Sequence, residues 1–554
     1  MALLVVGPLL KPGYLLLRDA VSTPRSYLSD TALGLTSAPR ATPQDFAVAL
    51  ASHLVDGGVV VKALLVVGLW LAGWGAARLV ATALPGAGAA GQFVAITLAI
   101  WNPYVAERLL QGHWSLLVGY GCLPWVATAM LEQRSSDGAS RPGGLFGLIF
   151  WFGLAGLTPT GLLLAATVAL VCVAAPGAGR PRWLCAAVTL GAALVAALPW
   201  LTASVMGSSL TSHTAANALG VNAFAPRAEP RLGTLLSLAS LGGIWNGEAV
   251  PASRTTLFAV SSALVLLGVV VAGLPAVARR PAVVPLLVLA ATSVLVPAAL
   301  ATGPGLHVLR AVVDAAPGFG VLRDGQKWVA LAMPGYAVAG AGTVLTLRHW
   351  LRPAVTALVC CAALLLSLPD LAWGVAGKVE PVHYPTDWAS VAAEINRDPA
   401  AVAVLPADTM RRFAWSGPAP VLDPLPRWVR ADVLTTGNLN ISGTTVPGEG
   451  NRAHQVQRLL LAGADPVTIR RAGMGWLVVE AGTPGDRGLA ARTFARLPVA
   501  YPGHDLALYR VGGAAAGAPA DRRLLAVIAH RVWLAMLIGG AVGATVTAWC
   551  RRAR

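Results

Sequence analysis

With 554 residues, 56% hydrophobic content, only 12% charged residues and a mean hydropathy of +0.66, the chain is too apolar for a water-soluble fold, in which about 25% of residues carry charge. The net charge of +16 does not mark a nucleic-acid binder: much of the excess sits in short loops, and the long polar stretch, residues 373–521, balances acidic against basic side chains. Composition therefore excludes a nucleic-acid partner and predicts a polytopic membrane protein surrounded by membrane lipids.

Apolar runs bounded by Gly, Pro and Arg predict about twelve membrane helices, near 1–17, 58–82, 88–105, 114–131, 144–157, 160–175, 183–202, 256–276, 282–300, 328–347, 353–372 and 532–550. Met1 to Leu10 is apolar, but Lys11 and Pro12 follow with no small-residue cleavage site, so the segment reads as a first membrane helix rather than a removed signal. The six cysteines all fall in apolar segments, where a thiol behaves as a small hydrophobe, and no disulfide framework is implied. With both termini cytoplasmic, the inward loops hold Arg134 and Arg141, Arg180 and Arg182, Arg279 and Arg280, Arg348 and Arg352, and the Arg551, Arg552, Arg554 tail, as the positive-inside rule requires. The chemistry is then sought on the outer side.

The first outer loop contains Thr42-Pro43-Gln44-Asp45, a helix start, with Phe46, Leu50 and Leu54 at helical spacing behind it. This is either an interfacial helix or a short helix packed on the bundle. Asp19, directly after the first span, is expected at the outer boundary, as a general base or as a helix-end charge paired with Arg18 or Arg25. The stretch Trp101-Asn102-Pro103-Tyr104 to Gly112-His113-Trp114 places Glu107, Arg108 and His113 between two spans with almost no loop, so they either pair with one another or line a cavity. Thr158-Pro159-Thr160-Gly161 and Trp245-Asn246-Gly247-Glu248 read as turns.

Pro317-Gly318-Phe319 to Arg323-Asp324-Gly325-Gln326-Lys327 enters another helix, and Arg323 and Lys327, four apart, suit a phosphate at a helix N-terminus or lipid headgroups. Residues 380–510 alternate short apolar runs, Val402–Leu405 and Trp476–Glu480, with helical stretches at Trp388–Asn396 and Ala453–Leu461, which predicts a small α/β domain. An Ala/Gly-rich linker, Gly512–Pro519, leads into the last helix. His213, Glu248, His383, Asp387 and His454 have no metal-ligand spacing, so no metal is assigned, although a divalent cation stays open as a cofactor. There is no Walker loop, dinucleotide fingerprint, G-x-S-x-G or H-E-x-x-H.

Three features in this order, Leu17-Arg18-Asp19 with the helix behind it, the Trp101 to Trp114 turn, and the Pro317 to Arg323 helix entry, resemble the GT-C superfamily of membrane glycosyltransferases, particularly its actinobacterial arabinofuranosyltransferase-like and YfhO-like branches. The resemblance spans most of residues 1–372 and implies a transmembrane catalytic module there, an extracytoplasmic α/β domain at 373–521 and a C-terminal membrane helix at 532–550. It implies transfer of a sugar from a polyprenyl-phosphate donor to a cell-envelope glycan or glycolipid on the outer face of the plasma membrane. The roles that follow are Asp19 as catalytic base; Arg323, Lys327 and Arg18 at the donor phosphate; Asn102, Tyr104, Glu107, Arg108, His113 and Asp324 orienting substrate; and Trp388, Trp415 and Trp428 against glycan rings. The first loop lacks the adjacent acidic pair that several GT-C members carry. A flippase for a lipid-linked intermediate and a catalytically silent envelope-assembly scaffold are the rival readings.

Overall fold

A computed structural model describes residues 1–36, 41–136, 142–206, 214–315, 318–406, 408–441, 443–448, 450–514 and 517–552; Arg141, His213, Pro317 and Arg554 fall outside them. Among the described residues six helices are long and apolar enough to cross a membrane: Gly57–Ala83, Trp114–Arg134, Arg182–Met206, Phe258–Val277, Gly325–Thr346 and Ala520–Cys550. Two bent pairs, Val284–Leu300 with Gly303–Ala315 (97°) and Pro353–Leu366 with Pro369–Gly377 (74°), raise the number to eight if each is one span. Among the described residues the helices long enough to span thus fall short of the dozen expected. The segments expected near 88–105, 144–157 and 160–175 are apolar helices of 13, 14 and 15 residues, roughly 20 Å long at 1.5 Å per residue and so shorter than a ~30 Å hydrocarbon core.

The expected first span is also corrected. Only Ala2–Val6 is α-helical, Gly7–Leu10 is a 3-10 turn, and Pro8 and Pro12, which lack backbone donors, stop any longer helix. The chain then forms strands β1 (Leu16–Leu17) and β2 (Ala20–Val21), an antiparallel hairpin whose two-residue turn is Arg18-Asp19. Leu16 and Leu17 are buried against protein, not lipid.

Helix starts follow local chemistry. The Asp56 carboxylate accepts from the Gly58 and Val59 amides at 2.8 and 3.2 Å and caps Gly57–Ala83; Thr158 caps Pro159–Val173 by accepting from the Gly161 amide at 3.0 Å. Helix Gln44–Ala51 forms where expected, and Phe46 packs 4.6 Å from the His530 ring while Leu54 stays exposed. Helix Trp114–Arg134 is the centre of the bundle, almost wholly buried. It approaches Gly57–Ala83 at Gly121, where any Cβ would collide with the Gly68 carbonyl oxygen; small residues let membrane helices pack through backbone contact. At the far end of this central helix Arg134 donates to the carbonyls of Ala175 and Gly177 at 3.1 Å each. The hairpin side and this basic side are therefore opposite ends of the bundle. Peripheral helices expose Leu190, Leu194, Ile538 and Val546, as lipid contact demands.

The C-terminal region contains β3 (Val402–Leu405), β4 (Met410–Arg411), β5 (Val421–Leu422), β6 (Leu439–Ile441), β7 (Thr444–Val446), β8 (Trp476–Glu480), β9 (Val499–Pro502) and β10 (Leu506–Arg510). Its main sheet has the order β3-β8-β10-β9, with β3 and β8 parallel and the other pairs antiparallel. Alternate residues face opposite cores: Val402, Val404, Trp476 and Val478 join one, Ala403, Leu405 and Leu477 the other, so the sheet is covered on both faces. Helices Thr386–Arg397 and Asn451–Leu461 lie where the sequence pattern puts them. The three tryptophans expected against sugar rings are corrected: Trp388 and Trp428 are 1% and 7% exposed, and with half-buried Trp415 they pack around Tyr384 and Phe413. The Trp388 and Trp428 rings fill a core and present no open face to a sugar, and Trp415 packs against that core.

Gly121→Val forces the two central helices apart and is expected to cost about 2 kcal/mol, the range of an overpacked core; thermal denaturation in detergent reads the loss, and an unchanged midpoint refutes the backbone contact.

Candidate functional site

Helix Pro103–Gln111 is short because it is capped at both ends. Asn102 accepts from the Val105 amide at 3.1 Å through its carbonyl oxygen, and its amide nitrogen donates to the carbonyls of Leu98 and Ala99 at 2.8 and 3.2 Å. Pro103 opens the helix, and Gly112 ends it in the left-handed region at φ +82°. A Cβ on Gly112 would also collide with the Leu17 carbonyl and the Ala20 amide. The β1–β2 hairpin therefore rests directly on Gly112, and the Asp19 amide donates to the Gln111 carbonyl at 3.1 Å.

Arg18 fastens that hairpin in place. Its guanidinium donates to the carbonyls of Leu110 at 2.6 Å and Glu248 at 2.9 Å, and lies 3.8 Å from the Glu248 carboxylate. Its backbone pairs with β5: the Arg18 amide donates to Pro420 and the Leu422 amide donates to Arg18, each at 2.9 Å. Buried and committed to these acceptors, Arg18 is a structural clamp, which corrects its expected place at a donor phosphate.

The turn presents Asp19 to His113. Asp19 Oδ2 lies 2.9 Å from His113 Nε2 and accepts from Gln111 Nε2 at 3.1 Å, and Asn246 holds Gln111 through a 2.8 Å bond. Among the described residues Oδ1 accepts no hydrogen bond, and the Asp19 side chain is 35% exposed. Burial raises the Asp19 carboxyl, but the His113 hydrogen bond, then Gln111 and the Lys327 charge, outweigh it and hold the group below its usual range. Burial lowers His113, and the cations Arg108 and Lys327 add to that against the pull of Asp19, leaving it below an ordinary histidine. The two groups are thus a carboxylate beside a neutral imidazole.

Behind His113 the remaining expected residues are gathered but enclosed. Arg108 Nη1 is 3.0 Å from His113 Nδ1. The guanidinium donates to both oxygens of Asp324, at 2.8 and 3.1 Å, and to Gln326. Gln326 donates to Glu107 at 3.0 Å, and Glu107 accepts the amides of Gly243 and Ile244 at 3.2 and 3.1 Å. Burial, then the neighbouring Glu229 charge, pushes the Glu107 carboxyl well above its ordinary value; Glu229 is itself ion-paired to buried Arg254. Tyr104 stacks on Tyr120 at 5.2 Å and donates to the Lys327 carbonyl at 3.3 Å. Asn102, Tyr104, Glu107 and Arg108 are 0% exposed and Asp324 5%. These five therefore orient protein groups, and of the expected substrate-orienting set His113 alone reaches the surface.

Lys327 is 25% exposed, with its ammonium 3.8 Å from Asp324. Arg323 turns elsewhere: its Nε donates to the Gly320 carbonyl at 3.1 Å and its guanidinium lies 6.0 Å from the Phe224 ring centroid. The sequence placed the two on one α-helical face, but Arg323 lies between two separate 3-10 turns, Phe319–Leu322 and Gly325–Leu331, and only Lys327 is within one, so no single helical face carries both. Gln111, Asn246, Gln326 and the Glu229–Arg254 pair were not singled out by sequence. Gln111 and Gln326 lie inside the flagged stretches, whereas the Glu229–Arg254 pairing leaves no sequence signal. Among the described residues no group of three or more His, Cys, Asp or Glu side chains is placed to hold a metal ion.

No protein-family model matches the sequence, and no curated protein matches it. Solved structures do. The cryo-EM structure of arabinofuranosyltransferase AftD from Mycobacteria aligns with a TM-score of 0.60 at 17% identity, over 93% of this chain and 39% of that one. A mutant form of the same protein aligns with a TM-score of 0.56 at 18% identity, over 93% and 41%. The chain thus shares the fold of these arabinofuranosyltransferase structures and spans about two fifths of their length.

Gly112→Ala places a side chain at a left-handed position against the hairpin backbone and is expected to cost about 2 kcal/mol; a melting midpoint equal to wild type refutes the seat. His113 adds a pH term. The unfolded histidine takes a proton below about pH 6.5 while the folded one resists, so the unfolded state binds more protons and this term's stability falls as pH drops through 6.5. His113→Gln removes the term, and its melting midpoint should fall less than that of wild type between about pH 7 and pH 5; parallel curves contradict the neutral imidazole.

Proposed function

We propose that this chain is an integral membrane glycosyltransferase that moves a sugar from a polyprenyl-phosphate donor to a cell-envelope glycan or glycolipid on the outer face of the plasma membrane. The observation that carries the reading is the Asp19 carboxylate at the hairpin turn: Oδ2 is held by His113 and Gln111, Oδ1 accepts no hydrogen bond among the described residues, and the Lys327 charge acts on the group. A base fixed at one oxygen and open at the other can take a proton from an acceptor hydroxyl. The arabinofuranosyltransferase-like fold supports this chemistry over other uses of such a pair.

In the proposed transfer the acceptor oxygen attacks the anomeric carbon, its proton passes to Asp19, and the lipid phosphate departs with the bonding electrons. Lys327 supplies a partly exposed positive charge felt by Asp19 and would offset the charge developing on the phosphate; Arg323, beside Phe224, would meet the more distant part of a long lipid donor. The basic Arg134 loop at the opposite end of the bundle from Asp19 supports an outward-facing site, by the same positive-inside logic that places both termini in the cytoplasm. The α/β domain would then be extracytoplasmic, where a growing glycan can meet it.

Purified protein reconstituted with labelled polyprenyl-phosphate sugars and a glycan acceptor should transfer sugar. Asp19→Asn should lower kcat by at least about 100-fold, the usual worth of a positioned base. Lys327→Met should lower transfer by roughly 10-fold to 100-fold, as expected when one cation is lost from a developing phosphate charge. Transfer unaffected by Asp19→Asn removes the assigned base, and lipid translocation without transfer favours the flippase.

A further inference from the structure

We propose that Arg108 is a positioning residue that locks His113 as a neutral hydrogen-bond donor to Asp19, so that the proton from the acceptor hydroxyl lands on Asp19 Oδ1 and does not pass through His113. This rests on Asp19 being the base. Both ring nitrogens of His113 have partners, at 3.0 Å to Arg108 and 2.9 Å to Asp19. A guanidinium has no acceptor atom and keeps its protons, so the 3.0 Å contact requires a lone pair on Nδ1. The ring proton then sits on Nε2 and points at Asp19 Oδ2.

Arg108 cannot swing aside to release Nδ1. Both Asp324 oxygens and Gln326 hold the guanidinium from the segment entering Gly325–Thr346, and Gln326 is itself held by Glu107. The charged groups facing His113 are Asp19 on the hairpin, Arg108 on Pro103–Gln111, and Asp324 and Lys327 on the segment that leads into the next span. His113 also stands at the N-terminus of Trp114–Arg134, whose dipole disfavours a cation there. Two cations and a helix end oppose protonation, while Asp19, through its hydrogen bond, and the more distant Asp324 favour it.

The proton balance follows. Oδ2 already accepts from His113 and Gln111, so the hydroxyl proton goes to Oδ1 as the new C–O bond forms and the bond from carbon to phosphate oxygen breaks. With Nδ1 blocked by an obligate donor, His113 has no second site from which to pass a proton on. The Asp19 acid is therefore reset by water at its exposed edge.

The test uses the full chain in lipid nanodiscs with ¹⁵N-histidine, the His113 signal being assigned through His113→Gln. The expected spectrum has a lone-pair Nδ1 and a protonated Nε2, unchanged through the range in which free histidine titrates. An imidazolium, or an Nδ1–H tautomer at neutral pH, overturns the proposal whether or not transfer is observed. In the transfer assay His113→Gln, which keeps an amide donor but cannot titrate, should stay within about 10-fold of wild type with the same acid limb, while His113→Ala loses about 100-fold or more. Equal losses in the two variants overturn the lock. Transfer indifferent to Asp19→Asn instead defeats the assignment of the base and leaves the spectrum to decide the tautomer.

Discussion

The ion pair between Arg108 and Asp324 is the constraint on which the site depends. Both groups lie inside the protein, and the guanidinium meets both carboxylate oxygens. Such a pair returns little net stability, because two charges have left water; breaking it is what costs, since one buried charge is then abandoned. That asymmetry forbids small rearrangements. It fixes the approach of helix Pro103–Gln111 to the start of Gly325–Thr346, and everything nearer the surface inherits the register: Gln326 toward Glu107, Tyr104 toward Lys327, His113 toward Asp19.

The site is thus built in depth. The lower layer is buried and densely paired, with Glu107 receiving two backbone amides and Glu229 neutralised by Arg254. The upper layer, Asp19, His113 and Lys327, is partly exposed and retains unused capacity on one carboxylate oxygen. Rigid support beneath and an open group above is the arrangement expected where a side chain must be held to within about 0.5 Å of its working position.

Sequence reasoning reached the parts of this that are local. Asp19 and His113 were each singled out by their position next to apolar runs, and β3, β8 and their flanking helices followed from short apolar runs and helical spacing. Their meeting was not legible, because it depends on Gly112 admitting a hairpin from ninety residues earlier. Hydropathy cannot tell a segment buried in protein from one buried in lipid, which is why Met1 to Leu17 reads as a membrane helix and folds as a short helix plus a hairpin. Aromatic residues in a polar domain suggest sugar contact, yet Trp388 and Trp428 fill a core, since a small sheet covered on both faces needs bulky side chains. A spacing of four suggests one face only if the segment is α-helical, and the turns around Arg323 are not.

The pairing of Arg18 with Val421 joins points roughly 400 residues apart, a loop whose closure entropy must be met before the contact gives anything back. During synthesis the N-terminal hairpin leaves the ribosome long before β5 exists, so the aspartate turn must wait, unsupported on one side, until most of the polypeptide has been inserted. Maturation of the reactive corner is in this sense a late event in the life of the nascent chain. A truncated product ending before the α/β domain would carry every residue of the dyad and still lack the strand that braces it.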